Sequence, residues 1–207
     1  MDEIVAYFNQ HFGPVDERSL IEIVPFDPAI TVHVVPASEG RNHITLFTTG
    51  MSSEQMTVPD EVPDNEDFAY AELFIQLPST WKYARIDDAD AGWPIHWLRS
   101  MAKLPHQLGT WLGGPVVVLP NGEPMRPLAP NTRFSAIMLM AERQIHRRDG
   151  RPIQLYRMTP LFPEEYELES HGGIGALLRA FDQLSIPFIV DNNRPSIGGV
   201  ALSKSVG

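Results

Sequence analysis

The sequence predicts an α+β domain, a mixed and largely antiparallel sheet flanked by helices. Three observations carry the prediction. Runs rich in Ile, Val, Thr and Phe follow one another early in the chain with only turn chemistry between them. Apolar residues at helical spacing dominate later, around Trp93 and again after Pro163. Strands are followed by helices and do not alternate strictly with them, unlike a doubly wound parallel fold.

Asp2 to Phe12 reads as a short amphipathic helix, with Ile4, Val5, Phe8 and Phe12 on one face. Asp2 and Glu3 complement its positive end, and Gly13-Pro14 stops it. Strands are expected over Ser19 to Phe26, Thr31 to Pro36 and Asn42 to Gly50. Glu54 to Asp67 is polar and acidic, carries Pro59 and Pro63, and reads as a surface loop. Phe68 to Leu77 reads as a strand covered on both faces, because both alternating sets are mostly apolar. Pro78 ends it, and Ser79 to Ala91 forms a second acidic connection.

A helix is expected from Trp93 to Leu104, with Pro94 in its first turn and Pro105 at its end. Gly113-Gly114-Pro115 turns into a strand at Val116 to Leu119, and Asn121-Gly122 gives a tight turn. Strands follow at Arg133 to Ala141 and Ile153 to Leu161, with Asp149-Gly150 as a hairpin signal between them. Pro163 opens an acidic helix that runs to about Ser170 and breaks at His171-Gly172-Gly173. Ile174 to Leu184 is a further helix with Leu177, Leu178, Phe181 and Leu184 buried, and Ile186 to Val190 a last short strand. Residues 1–198 read as one domain, and the glycine- and serine-rich tail from Ser196, 199–207 above all, as flexible.

Composition narrows the function classes. The chain has 207 residues, 43% of them hydrophobic, which suits a globular core and not a disordered chain. It has no cysteine, so a disulfide scaffold, a thiolate zinc site and a cysteine nucleophile are excluded. With 16 basic and 26 acidic side chains the net charge is −10, which argues against direct nucleic-acid binding and suits a basic protein partner. The acidic N-terminus lacks a signal-peptide pattern, and no apolar run is long enough to span a bilayer, so a cytoplasmic location and no membrane contact are expected.

Gly172, Gly173 and Gly175 follow a helix and lack a Lys-Ser/Thr pair, so they read as a helix-to-helix turn and not a phosphate loop. The seven histidines form no ligand motif; His33 and His43 could face each other across a hairpin, but two imidazoles do not close a metal site. No metal and no cofactor are expected. Glu164, Glu165, Glu167 and Glu169 read as a solvated face whose first members favour the helix N-terminus. Arg143, Arg147, Arg148 and Arg151 flank the Asp149-Gly150 turn and read either as a contact for an acidic partner or, as favoured, as a charged hairpin tip that discourages edge pairing. Trp81, Trp93, Trp97 and Trp111 cluster in sequence, which suits core packing or a binding surface. Asp191 to Pro195 reads as a binding loop or a hydrogen-bonded turn.

Several of these segments stand in a recognisable order. Ala71 to Pro78 is followed by Trp93-Pro94-Ile95-His96-Trp97-Leu98, then Thr110-Trp111-Leu112 and a glycine turn. Thr159-Pro160-Leu161-Phe162-Pro163-Glu164-Glu165, Gly175-Ala176-Leu177-Leu178 and Asp191 to Arg194 complete the series. From Phe68 to Gly198 the chain resembles the suppressor-of-fused (SUFU) family, specifically its bacterial single-domain members. The resemblance implies a mixed sheet flanked by helices and protein binding instead of catalysis. Eukaryotic relatives are described as negative regulators of Hedgehog signalling that hold a transcription-factor peptide as an added strand between two domains. Bacterial relatives include immunity proteins of polymorphic toxin systems. A second domain for such a clamp is not expected, and Gly114-Pro115 stands where eukaryotic relatives carry an acidic residue, so that particular partner is not expected.

The leading expectation is therefore a non-catalytic module that binds a basic toxin domain. Its candidate contacts are Asp60, Glu61, Asp64, Asp87, Asp88, Asp90, Trp111, Glu164, Glu165, Asp191 and Arg194. A competing reading is a hydrolase built on Glu164 or Glu165 with His171, Asp191 and Arg194. A third is a scaffold that acts by self-association.

Overall fold

A computed structural model of the chain describes residues 2–18, 20–21 and 27–197. Its architecture is the α+β arrangement expected, a seven-stranded sheet with helices on both faces. The strands are β1 (Leu20–Ile21), β2 (Thr31–Val35), β3 (His43–Thr49), β4 (Ala71–Pro78), β5 (Val116–Pro120), β6 (Ala136–His146) and β7 (Pro152–Leu161). The helices are α1 (Asp2–Phe12), α2 (Ala89–Leu108), α3 (Pro163–Gly172) and α4 (Ile174–Leu184). Most of the strand expected at Ser19 to Phe26, and the tail beyond Ile197, lie outside the described residues.

The strand order is β1-β2-β3-β4-β7-β6-β5. Every neighbouring pair is antiparallel except β4 and β7, which run parallel from Ala71↔Gln154 to Phe74↔Arg157. Two meanders, β1 to β4 and β5 to β7, thus meet along one short seam. Past it, the Val190 N–H reaches the Gln76 carbonyl at 2.8 Å. That bond is what remains of the last strand expected at Ile186 to Val190, which does not form. Pro187 has no donor to offer a ladder.

Strand alternation sorts the core. Leu73, Ile75 and Leu77 of β4 face α2, where Trp93, Ile95 and Leu98 are buried against them. Phe74 and Tyr70 face the other way, toward Ile4 and Phe8 of α1. On that second face α4 covers the far end of the sheet, burying Leu177 and Phe181 against Ala136 and Met138. β4 is accordingly buried on both sides. It starts at Ala71, because Phe68 is taken up by a 3₁₀ turn, Asn65–Phe68.

α2 is longer than expected. It starts at Ala89, where Asp88 caps it by accepting a hydrogen bond from the Asp90 N–H at 2.9 Å. Pro94 therefore lies inside the helix. A proline there leaves the carbonyl four residues back, that of Asp90, without its helical donor. The Asn131 side chain supplies one, Nδ2 donating to Asp90 O at 3.0 Å. Pro105 is likewise inside, and Gly109 in the left-handed region closes the helix. Gly92 lets the first turn sit against the preceding loop, since a Cβ there would lie 2.0 Å from Ile86 O.

β6 also extends beyond its expected end, to His146, and pairs with β7 through a bulge between Ala141 and Arg143. The hairpin at Asp149-Gly150 forms as read, with the Arg147 N–H donating to Arg151 O at 2.9 Å. Asn121-Gly122 does not join two strands directly. Asn121 braces a longer loop by donating to Arg126 O and Pro127 O, both at 3.0 Å, before β6 begins. α3 runs through His171 and Gly172, and the break falls at Gly173 with φ 73°.

Candidate functional site

The N-terminal end of α2 borders an open cleft of about 520 Å³. Three stretches far apart in sequence build it: Pro78 to Ala91, leading into α2, Asn131 before β6, and Asp191 to Asn193, beyond α4. The cleft carries Asp88, Asp90 and Asp191, the side chain of Trp81, and the amides of Asn131, Asn192 and Asn193. Each part has a local cause. Trp81 donates its Nε1–H to Ala91 O at 2.9 Å, which holds the indole against the helix start. Asp191 Oδ1 accepts from the Asn193 N–H at 2.9 Å, an Asx-type turn that presents the loop. Asn192 Oδ1 is buried and has no partner among the described residues. Lys82 and Arg85 stand at the rim, and Arg85 pairs with Asp88 at 3.7 Å with both side chains exposed. Asp87 is exposed beside Asp88.

Glu165 and Arg194 correct the sequence reading. Glu165 is 0% and Arg194 7% exposed, so neither is a surface contact. Both guanidinium nitrogens Nη1 and Nη2 meet the carboxylate at 2.6 Å. Arg194 also donates to Pro160 O at 3.1 Å, and its guanidinium lies 4.7 Å from the Phe162 ring centre. Glu165 Oε2 reaches back to accept from the Phe162 N–H at 2.9 Å, satisfying a backbone donor at the start of α3. The pair ties the loop after α4 to the end of β7, and its hydrogen-bonding groups are engaged. Glu164 is half-buried and pairs with exposed Arg133 at 3.4 Å. Burial works to raise its pKa, but hydrogen bonds from Ser196 and from its own backbone, with the Arg133 charge, outweigh burial and lower it. His171 is exposed at the far end of α3, with Nδ1 2.8 Å from Glu167 O. Six or seven helical residues, about 10 Å of rise, separate it from the glutamates, and no shared catalytic geometry forms.

Asp60, Glu61 and Asp64 are exposed but belong elsewhere. Their loop is pinned by buried Met56 and by the Thr57 N–H donating to Thr110 O at 3.1 Å, just past the C-terminal end of α2. The 20 residues of α2 span about 30 Å, so the two acidic stretches lie at opposite ends of it. Trp111 shares that far end and meets Phe68 edge-on at 5.8 Å. Trp93 is buried 5.9 Å from Trp81.

The arginine hairpin is more anchored than a free tip. Arg147 Nη1 donates to Ser52 O at 2.8 Å, and Arg151 Nη1 to the Tyr70 hydroxyl at 2.6 Å. His33 and His43 do not meet: His33 Nε2 lies 2.8 Å from Thr49 Oγ1, and His43 Nε2 lies 3.0 Å from Gln76 Nε2. Burial lowers the pKa of both, helped at His43 by the charges of Arg41 and Arg157. Among the described residues no three acidic or histidine side chains gather as metal ligands.

Sequence reasoning passed over Glu72, which is fully buried in β4. It accepts from Thr48 Oγ1 at 2.6 Å, Ser52 N at 3.0 Å and Ser52 Oγ at 2.7 Å. Burial raises its pKa despite these donors. A lone carboxylate inside an apolar strand was the available signal.

The family model described as "Suppressor of fused protein (SUFU)" matches residues 27–195, more than half of the chain. Among solved structures the chain is similar to one described as the Sufu-Fu complex, at 14% identity over 99% of this chain and 95% of that one, with a TM-score of 0.66. A SUFU homologue from Neisseria gonorrhoeae FA 1090 is similar at 14% identity, covering 95% of each chain, with a TM-score of 0.62. Drosophila Suppressor of Fused matches at 15% identity and a TM-score of 0.52, over 86% of this chain and 45% of that one. At such identities the likeness establishes the fold. No curated protein sequence matches the chain.

Proposed function

The chain belongs to the suppressor of fused family, and from that premise we propose that it is a non-catalytic protein-binding module whose cleft at the start of α2 receives a basic partner. The observation that carries the proposal is the convergence of Asp88, Asp90 and Asp191 around Trp81 in one open cleft. Carboxylates, amide oxygens and an indole together suit Lys and Arg side chains, through charge-assisted hydrogen bonds and cation–π contact. The net charge of −10 steers a basic partner toward the molecule. A structural neighbour is described as a complex of Sufu with Fu, so a protein of this fold engages a protein partner. The engaged state of Glu165 and Arg194 speaks against the hydrolase reading.

The partner class proposed is a basic toxin domain, with the chain acting as its cytoplasmic immunity protein. Coexpression with the toxin encoded beside it should protect the cell and yield a complex on size exclusion. The triple variant Asp88→Asn, Asp90→Asn, Asp191→Asn keeps the side-chain caps. It should weaken that complex at least tenfold and flatten its salt dependence. Absence of both protection and complex would sink the proposal.

A further inference from the structure

On the face of the sheet opposite α2, α1 and α4 pack over different parts of β6 and β7. Beside α1 that face carries a pocket of about 290 Å³, walled by Tyr7, Phe12, Phe74 and Leu155 and edged by His11, Glu142 and Arg143. Consecutive strand residues normally point to opposite faces. Glu142 and Arg143 share one because the β6 bulge falls between Ala141, opposite Tyr156, and Arg143, opposite Leu155. A bulge re-aims a side chain in this way. The two charges are not equivalent. Arg157 holds both Glu142 oxygens through Nε and Nη2, so that carboxylate is neutralised and engaged. Arg143 is exposed and has no acidic partner among the described residues. The pocket therefore pairs aromatic and aliphatic walls with one uncommitted guanidinium at its mouth.

We propose that this pocket binds an aromatic carboxylate, the ring against the partly exposed Tyr7 and Phe12 and the carboxylate on Arg143. Stacking contacts favour a ring, and a guanidinium is shaped for bidentate pairing with a carboxylate. A cationic ligand is disfavoured, because the only carboxylate at the pocket is already held by Arg157. The volume suits a single ring, being at the small end of ligand pockets, roughly 300 Å³. Such a group is available as a free aromatic acid or as the C-terminal residue of a partner chain.

Titration calorimetry with the full chain tests this, using 3-phenylpropionate, its amide, and a short peptide ending in a free C-terminal Phe. The acid or the peptide should bind, the amide at least tenfold more weakly than the acid. Arg143→Gln should abolish that preference without changing the melting temperature, and Arg143→Lys should restore part of it. Binding of the peptide alone identifies a chain terminus as the source, and binding of the acid identifies a free metabolite-sized ligand. Equal binding of acid and amide, unchanged binding to Arg143→Gln, or no binding of either carboxylate overturns the proposal.

Discussion

Arg194 and Glu165 are buried as a pair, so removing either charge strands the other in the core. Arg194→Ala should cost about 3–5 kcal/mol in urea denaturation, whereas joint replacement by Met and Leu should cost far less. Sequence spacing could not reveal this. Glu165 stands among other glutamates on a short helix, and its partner lies 29 residues away across α4. Glu72 makes a second residue-scale prediction. Its folded pKa lies above its ordinary value of 4.5, so the folded state favours the protonated form. That contribution is complete below the unfolded value and is lost as pH rises through the folded one. Glu72→Gln keeps the shape, and Thr48 can still turn its proton toward Leu73 O, 3.4 Å away. The variant should therefore show a flatter loss of stability above about pH 4.5 than the parent, measured by denaturation across pH.

At the scale of elements, the first turn of α2 supports the cleft. Asp88→Ala should destabilise by about 1 kcal/mol, while Asp88→Asn should be nearly neutral. Gly92→Ala should be worse than helix propensity suggests, because its methyl would meet the Ile86 backbone. Thermal melts of the three variants rank them. α1 and α4 were legible from apolar periodicity and turn residues, and their bounds match. α2 was legible from Trp93 to Leu104 but its start was not, because proline reads locally as a helix start, while the Asp90 carbonyl it leaves free is satisfied by Asn131 from 41 positions away. The polar end of β6 reads as loop for a related reason. Glu142, Arg143 and Gln144 are exposed, and pairing with β7, not burial, keeps them extended.

Across the whole molecule, the titrating groups act in opposite directions. His33 and His43 have lowered pKa values, so their contribution is present above pH 6.5 and is lost as pH falls below it. Between about pH 4.5 and 6.5 the Glu72 contribution falls as the histidine contribution rises, so the two partly cancel there, and replacing both histidines by Gln should flatten the loss of stability on the acid side. Fold class was legible in the order of strands and helices. The cleft was only half legible: its acidic pieces were visible, but the pairing of strands that brings Asp191 to Asp88 is long-range. The same long-range pairing matters while the chain is being made. β4 is the strand buried on both faces, yet one of its edges stays open until β7 exists, since Ala71 waits for Gln154. At translation rates of about 5–20 residues per second, that wait is several seconds. During it an apolar strand edge is exposed to other nascent chains. A chain truncated after Gly150, before β7, should accumulate in the insoluble fraction or on chaperones, and the ribosome-bound intermediate is where this fold is most exposed to misassembly.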